Sequence, residues 1–161
     1  MKKVILNYLV IAALAVSAAC TSNNADDEKN LGSLIIKGRD HQIFGAGACP
    51  TIDGNFKSIY FDDKNGHTMM FLIFKEGQKL TTKTYTENEI EVLNIGAQVV
   101  DGVSGDHDYW WDDNVVMEVA VKGTTYNITI IGNVGQTTKD EYEFTEYTVT
   151  YEGKINVEVC I

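Results

Sequence analysis

The stretch Val115–Ile131 reads VVMEVAVKGTTYNITII and predicts a β-hairpin. Apolar residues recur at every second position over Val115–Lys122 and again over Tyr126–Ile130, which is the period of a strand with one face against a core. Gly123 lies between the two runs, where a tight turn favours glycine. We therefore expect two antiparallel strands joined at Gly123.

Similar pairs of strands are predicted on both sides of this hairpin. Ser58–Asp62 and His67–Lys75 flank Asn65-Gly66, a dipeptide suited to a type I′ turn. Glu143–Tyr151 and Ile155–Ile161 alternate in the same way and flank a Glu-Gly pair, which predicts a third hairpin. Further short strands are expected at Leu34–Lys37, Gln42–Gly45, Leu80–Tyr85 and Glu89–Asn94.

About ten short strands without crossover helices predict a single all-β domain over residues 32–161. The chain has 161 residues, of which 44% are hydrophobic, and this suffices for one domain with a full core. We expect an antiparallel β-sandwich, because the strand lengths are uneven and residues 95–113 form a long insertion of the kind found at the end of a sandwich. A closed, lipocalin-like β-barrel is the alternative.

One predicted strand contains the run Met69–Phe74, which is apolar at every position. Both faces of such a strand need cover. One interpretation is a central strand whose outer face lies under the insertion at 95–113. The other is an exposed patch of Met and aromatic side chains that receives a ligand or a partner.

The first twenty residues have the pattern of a secretory signal. Two lysines precede the uncharged run Val4–Val16, and small residues then lead to Cys20. The run is shorter than the roughly 20 apolar residues that a membrane-spanning helix needs. We expect residues 1–19 to be a signal peptide.

The end of this signal resembles the lipobox of bacterial lipoproteins, in which a Cys becomes the lipidated first residue of the mature chain. Ser17-Ala18-Ala19-Cys20 matches at the small residues and at the Cys, which implies a membrane anchor on Cys20. It departs at Ser17, where an aliphatic residue is usual. An ordinary signal peptidase would also accept these small residues, and the product would then be a secreted protein.

Residues 20–31 are predicted to be a flexible tether, with an acidic cluster at Asp26–Glu28. The cluster is similar to the export signal of outer-membrane lipoproteins of the Bacteroidota type, which implies a surface-exposed location in the cell envelope. A plain solvated linker explains the same residues equally well. The domain that follows resembles no family we recognise.

The charge balance excludes several classes of partner. The formal net charge is −10, and without residues 1–19 it becomes −12, from 11 basic and 23 acidic side chains. A chain this acidic repels a phosphate backbone and anionic lipid headgroups. We therefore expect no nucleic-acid partner, and we expect membrane contact only through the lipid anchor.

If Cys20 carries lipid, Cys49 and Cys160 remain as a pair in an oxidising compartment. They could form a disulfide bond, or they could be two unpaired thiols. The alternation Ile155, Val157, Val159, Ile161 places Cys160 on the opposite face from these aliphatic residues. A partner of Cys160 is therefore expected away from their core.

No catalytic or cofactor motif stands out in the chain. The only histidines are His41, His67 and His107, no two of them at metal-ligand spacing, and there is no CxxC pair. Residues Gly102–Asp106 lack the second Gly of a nucleophile elbow. We expect no enzyme activity and no cofactor, while a hydrolase built from scattered carboxylates remains an alternative.

The most unusual stretch is Asp101–Asn114, DGVSGDHDYWWDDN. Aromatic rings stack on sugar rings and carboxylates accept hydrogen bonds from hydroxyl groups, so a glycan site is predicted. Its candidate residues are Tyr109, Trp110, Trp111, Asp106, Asp108 and Asp112. A weaker hypothesis is that calcium binds to Asp106, Asp108, Asp112 and Asp113. Their spacing is not that of a helix-loop-helix calcium site, so we expect no metal.

A structural explanation competes with the glycan site. Trp110 and Trp111 would then lie on alternate faces of a strand, one plugging the end of the sandwich and one partly exposed. Asp62–Gly66 also looks like part of a calcium loop, but turn chemistry explains it better.

The leading hypothesis is a non-catalytic, lipid-anchored envelope protein that acts as a binding or adhesion module, with a glycan as the expected ligand. The alternative is an inhibitor or an assembly partner of another envelope protein. A carboxylate-based hydrolase is the third hypothesis.

Overall fold

The computed structural model describes residues 29–96, 109–111, 114–138 and 141–158, and within them the chain forms two β-sheets. The seven-stranded sheet contains β1 (Gly32–Ile36), β2 (Arg39–Ile43), β6 (Lys83–Thr86), β8 (Tyr109–Trp111), β9 (Val116–Lys122), β10 (Thr125–Thr138) and β11 (Glu141–Gly153). The five-stranded sheet contains β3 (Gly45–Pro50), β4 (Phe56–Asp62), β5 (Thr68–Gln78), β7 (Ile90–Ile95) and β12 (Asn156–Val157).

The sheets are separate, so the predicted β-sandwich is confirmed and the closed-barrel alternative is wrong. The larger sheet has the order β2-β1-β11-β10-β9-β6, with β8 also paired to β10, and the smaller has the order β12-β3-β4-β5-β7. Pairing is antiparallel throughout except between β12 and β3, which are parallel. Each sheet therefore ends in edge strands, which a closed barrel does not have.

A single apolar core lies between the two sheets. Phe61 on β4 meets Tyr151 on β11 edge to face, with ring centroids 5.5 Å apart. Phe74 on β5 meets Tyr85 on β6 in the same way at 5.8 Å. These contacts join one sheet to the other, and each aromatic pair adds about 1 kcal/mol beyond the area it buries.

The hairpin at Gly123 is confirmed. Lys122 pairs with Thr125, and Gly123 has a φ of 62° in the two-residue loop between them. Met117 is fully buried, whereas Val116 is 37% exposed, so the predicted alternation places one face of β9 in the core. The sequence period thus decided which side chains of this hairpin are buried.

The hairpin between β4 and β5 is confirmed, but its turn is not of type I′. Among the described residues other than Gly, only Lys37 has a positive φ, so Asn65 does not adopt the conformation that a type I′ turn requires. The Gly66 amide donates to the Asp63 carbonyl at 3.0 Å, and Gly66 itself has a φ of 76°. This is a type I turn followed by a left-handed glycine, whereas a type I′ turn at Lys37-Gly38 joins β1 to β2.

The third predicted hairpin is wrong. β11 ends at Gly153, and β12 leaves the sheet of β11 and runs parallel to β3 in the other sheet. Ile155 is buried where the chain crosses between the sheets, whereas Val157 is 61% exposed. Alternation identified apolar positions here, but it carries no information on which strand is the partner.

The other predicted strands exist with shifted boundaries. Gln42–Gly45 covers parts of two strands, because Phe44 lies where the chain passes from β2 in one sheet to β3 in the other. Leu80–Tyr85 corresponds to β6, which begins three residues later, and Glu89–Asn94 is shifted by one residue from β7.

The apolar run Met69–Phe74 lies on β5 and is not an exposed patch. Met70, Leu72 and Phe74 face the core and are buried, while Phe71 and Ile73 are half-buried on the outer face of the sheet. Met69 lies at a β-bulge and is also buried. Residues 97–108 of the insertion that was expected to cover this strand are outside the described residues.

Cys49 is disulfide-bonded and occupies a position on β3 that alternates with the core residue Ala48. It therefore lies on the outer face of the five-stranded sheet, away from the core. Cys160 is outside the described residues, so its pairing with Cys49 stays a prediction. The signal peptide, Cys20 and most of the tether are also outside them, and no described helix is long and apolar enough to cross a membrane.

Candidate functional site

The predicted glycan site is only partly within the described residues. Tyr109, Trp110 and Trp111 form β8, whose backbone is described. Asp106, Asp108, Asp112 and Asp113 are outside the described residues, so the carboxylates of the site and the calcium reading stay predictions. What the structure adds is the position of the aromatic residues in the seven-stranded sheet.

The register of β8 separates the two tryptophan positions. Trp111 pairs with Val134 on β10, and Trp110 pairs with Gly135. Residues directly opposite each other in antiparallel strands share a face of the sheet. Val134 is 5% exposed and belongs to the core, so position 111 lies on the inner face and position 110 on the outer face.

Among the side chains that the structure describes, the outer face of the seven-stranded sheet, called the open face below, exposes four large apolar ones. These are Phe144 at 58%, Ile131 at 48%, Ile35 at 44% and Val116 at 37%. Each of them is out of phase with the buried residues of its own strand, as Phe144 is with Tyr147 and Val149. These residues were not among the predicted site residues. The signal in the sequence was Phe144, an aromatic residue out of phase with the buried residues of its strand.

One row across the open face carries aromatic residues at both ends. Phe144 on β11 pairs with Gly135 on β10, and Gly135 pairs with Trp110 on β8. Neighbouring strands are about 4.8 Å apart, so the backbone positions of Phe144 and Trp110 are separated by roughly 10 Å. Gly135, between these two positions, has no side chain and is itself buried.

Two further rows run parallel to the aromatic row. In the aliphatic row, Ile35, Thr148, Ile131 and Val116 are consecutive across β1, β11, β10 and β9. In the hydroxyl row, the consecutive residues are Ser33, Thr150, Thr129, Glu118 and Thr84. The Ser33 and Thr150 hydroxyl oxygens are 3.4 Å apart. The open face thus combines apolar surface with side chains that donate and accept hydrogen bonds.

The open face is acidic. Within the described parts of its strands, the exposed charged residues that alternate onto this face are four acids, Asp40, Glu118, Glu146 and Glu152, and one base, Lys122. Lys122 lies at the end of β9 that is remote from the aromatic row. Exposed carboxylates accept hydrogen bonds from hydroxyl groups and repel anions.

A separate cleft of about 410 Å³ lies at one end of the sandwich, where the edge strand β2 meets the turn between β4 and β5. It is lined by Asp40, His41, Gln42, Phe44, Asp63, Lys64, Asn65 and Met69. The His41 Nε2 atom is buried and has no hydrogen-bond partner among the described residues. No local motif predicts this cleft, because two segments about twenty residues apart in sequence form it.

The acid in this cleft is engaged by its own turn. The Asp63 carboxylate accepts hydrogen bonds from the amides of Asn65 and His67 at 2.7 and 2.9 Å. Burial opposes ionisation, but these bonds hold the pKa of Asp63 below its usual value. This is the turn chemistry predicted for Asp62–Gly66, and no described group of three His, Cys, Asp or Glu side chains could hold a metal ion.

Two further carboxylates lie near Tyr60 on the outer face of the five-stranded sheet. The Tyr60 ring occupies the space above Gly47, where a Cβ would overlap it. Burial and a hydrogen bond donated to Glu158 raise the pKa of Tyr60 to about 12. Burial also raises the pKa of Asp62, against the hydrogen bond that Thr68 Oγ1 donates to it at 2.8 Å.

This carboxylate pair is the described arrangement nearest to the hydrolase hypothesis, because hydrolases of that kind need one acid with a raised pKa beside a second carboxylate. Neither Asp62 nor Glu158 lines the cleft at the end of the sandwich. The Glu158 carboxylate is already occupied by the Tyr60 hydroxyl. We therefore base no catalytic proposal on it.

Comparison with known proteins finds no matching protein-family model, no matching curated protein and no matching solved structure.

Proposed function

We propose that this protein is a non-catalytic, lipid-anchored envelope protein that binds a glycan on the open face. The observation that carries the proposal is the aromatic row, in which Phe144 and Trp110 flank Gly135 at outward positions of the sheet. Phe144 is 58% exposed, so its ring is accessible to a ligand.

The chemistry of the open face suits a sugar polymer. The C–H faces of sugar rings are apolar and pack against aromatic rings, while their edges carry hydroxyl groups that need hydrogen-bond partners. The hydroxyl row and the glutamates provide donors and acceptors beside the apolar rows.

The proposed anchor would allow the domain to stand off the lipid surface by up to the length of the tether. A tether of twelve residues, 20–31, spans at most about 40 Å when fully extended. We expect Cys20→Ser to move the protein from the membrane fraction to the soluble fraction, while Ser22→Ala leaves it in the membrane. Failure of labelled palmitate to enter the parent protein would exclude the anchor.

The glycan proposal is tested by binding of the purified full-length protein in detergent to immobilised dextran, hydroxyethylcellulose, galactomannan and starch. Phe144→Ala should weaken binding about 3- to 10-fold, because an aromatic stacking contact contributes about 0.5–1.5 kcal/mol. Ile52→Ala is the matched control, because Ile52 is fully exposed in a turn away from the open face. Equal binding by the parent and the Phe144 variant would contradict the proposal.

The aliphatic row favours a second candidate, in which the open face docks against another envelope protein as an inhibitor or assembly partner. Scattered exposed apolar residues are common, but Ile35, Ile131 and Val116 lie in one row. Ile131→Thr removes apolar surface from the centre of this row. A protein partner captured from envelope extract by the parent and lost with Ile131→Thr, without any polysaccharide binding, would favour this candidate.

A further inference from the structure

We infer that the glycan taken by the open face carries no acidic groups, and that the carboxylates of this face select against anionic polysaccharides. This inference rests on the proposed function and specifies its class of ligand. The observation behind it is the placement of four exposed acids among the three rows.

The acids are distributed so that every row has a carboxylate nearby. Glu118 belongs to the hydroxyl row, between Thr129 and Thr84. Glu146 lies on β11 between Phe144 of the aromatic row and Thr148 of the aliphatic row. Glu152 follows Thr150 on the same face, opposite Asn127.

These spacings are short relative to the range of electrostatic repulsion. Successive residues on one face of a strand are about 7 Å apart, and neighbouring strands are about 5 Å apart. The Debye length is about 8 Å at physiological ionic strength. An anionic group that contacts the middle of the open face therefore lies within about one Debye length of a carboxylate.

The described bases near the open face do not offset this repulsion at the aromatic row, since Lys29 lies beside Thr150 and Glu152 in a cleft at the far end of β11. Lys122 pairs with Thr125 at one end of β10, whereas the aromatic row crosses β10 at Gly135. Ten residues of extended strand correspond to roughly 33 Å, which is several Debye lengths. A sugar carboxylate or sulfate bound at the aromatic row would therefore have no cation within reach among the described strand residues of this face.

An uncharged polysaccharide meets no such penalty. Its hydroxyl groups donate to Glu118 and Glu146, and they exchange hydrogen bonds with the Ser and Thr hydroxyls in either direction. The same carboxylates thus contribute to binding of a neutral chain and oppose binding of an acidic one. Selectivity arises from the repulsion as well as from the favourable contacts.

The test compares polymers that share a backbone and differ in charge: dextran with carboxymethyl dextran, and hydroxyethylcellulose with carboxymethylcellulose. Binding of the full-length protein is measured at about 0.15 M and about 1 M salt, where the Debye lengths are about 8 Å and about 3 Å. We expect the carboxymethylated polymer to bind at least about 10-fold more weakly than its neutral counterpart at low salt. The difference should shrink at high salt, and binding of the neutral polymer should change little.

Paired variants separate the charges of the open face from the total charge. Glu118→Gln with Glu146→Gln should reduce the discrimination at low salt, whereas Glu76→Gln with Glu91→Gln changes the net charge equally on the other sheet and should leave it unchanged. An equal effect of both pairs would overturn the inference, and so would equal binding of neutral and carboxymethylated polymers. Absence of binding to every polymer would instead refute the proposed function, and this inference with it.

Discussion

The outer faces of the two sheets differ in how far they are covered. On the five-stranded sheet, Ser58 is 2% exposed and Cys49 is 9% exposed. On the seven-stranded sheet, Phe144 and Ile131 are about half exposed at equivalent outward positions. The same alternation rule applies to both sheets, but among the described residues the outer face of the seven-stranded sheet exposes the larger apolar side chains.

The difference between the two faces shows which apolar side chains of this protein are accessible to a ligand. The run Met69–Phe74 is the most apolar strand segment of the described domain, yet most of it is buried. The accessible apolar residues are single ones among Thr, such as Ile131 beside Thr129 and opposite Thr148. Exposure therefore depends on the phase of a residue within its strand and on how far the outer face of its sheet is covered, and not on the total hydrophobicity of the strand.

The largest expected effect concerns Cys49 on the covered face. In a Cys20→Ser background, Cys49→Ala should lower the free energy of unfolding by about 4 kcal/mol if the bond to Cys160 closes a loop of about 110 residues. Urea denaturation measures the loss. Cys160→Ala should give the same loss, and the two changes together should give no more, because they remove one bond.

A thiol count checks the partner directly. In the same Cys20→Ser background, the denatured and unreduced protein should have no free thiol. Two reactive thiols would rule out the Cys49–Cys160 bond.

The next effect separates the two faces of β8. Trp111→Ala should cost roughly 3 to 5 kcal/mol of stability, because position 111 lies opposite the buried Val134. Trp110→Ala should cost less than about 1 kcal/mol and should instead weaken glycan binding. Chemical denaturation and polysaccharide binding of both variants test whether position 111 belongs to the core and position 110 to the binding face. If both variants unfold several kcal/mol more easily than the parent, the aromatic row is structural and Trp110 is not a glycan-binding residue.

The same comparison can be made at two consecutive residues of β10. Ile130 is fully buried and Ile131 is 48% exposed. Ile130→Ala should cost about 2 to 5 kcal/mol, whereas Ile131→Ala should remain within about 0.5 kcal/mol of the parent. Equal losses in urea denaturation would mean that the open face is covered in solution.

The smallest effect is a pH dependence on the covered face. The raised pKa of Asp62 means that the fold favours the protonated carboxyl group, so its contribution to stability is present at acid pH and is lost as pH rises through the folded-state pKa. Asp62→Asn should therefore be more stable than the parent at neutral pH, by no more than about 0.5 kcal/mol, and equal to it near pH 3. Asp53→Asn, in an exposed turn, is the control; a greater stability of Asp62→Asn that persists at acid pH would contradict the explanation.

Local patterns were sufficient for much of the fold. The hairpin at Gly123 and the β4–β5 hairpin followed from alternation and turn residues, because both depend on neighbours in sequence. The type of the turn at Asn65 did not follow, since Asn-Gly also suits a type I turn that ends in a left-handed glycine. The I′ turn at Lys37-Gly38 was missed because Lys rarely adopts a positive φ.

The candidate site was predictable only in part. The aromatic residues at 109–111 made Trp110 a candidate from the sequence. Its place in one row with Gly135 and Phe144 was not predictable, because the row joins three distant segments of the chain. The cleft around His41 also joins separate segments, and no spacing in the sequence marks it. Contacts between distant segments depend on the sheet order, which local periodicity does not contain.

The sequence by itself determined the all-β class and the face of most strand residues, because side-chain alternation is a local property of an extended backbone. Only the tertiary structure decided that β1 pairs with β11, where Gly32 lies opposite Tyr151, and that β12 crosses to β3. Such pairings depend on which apolar faces can be buried against each other, and many partners satisfy the same alternation. The aromatic row and the acidic open face result from these strand pairings.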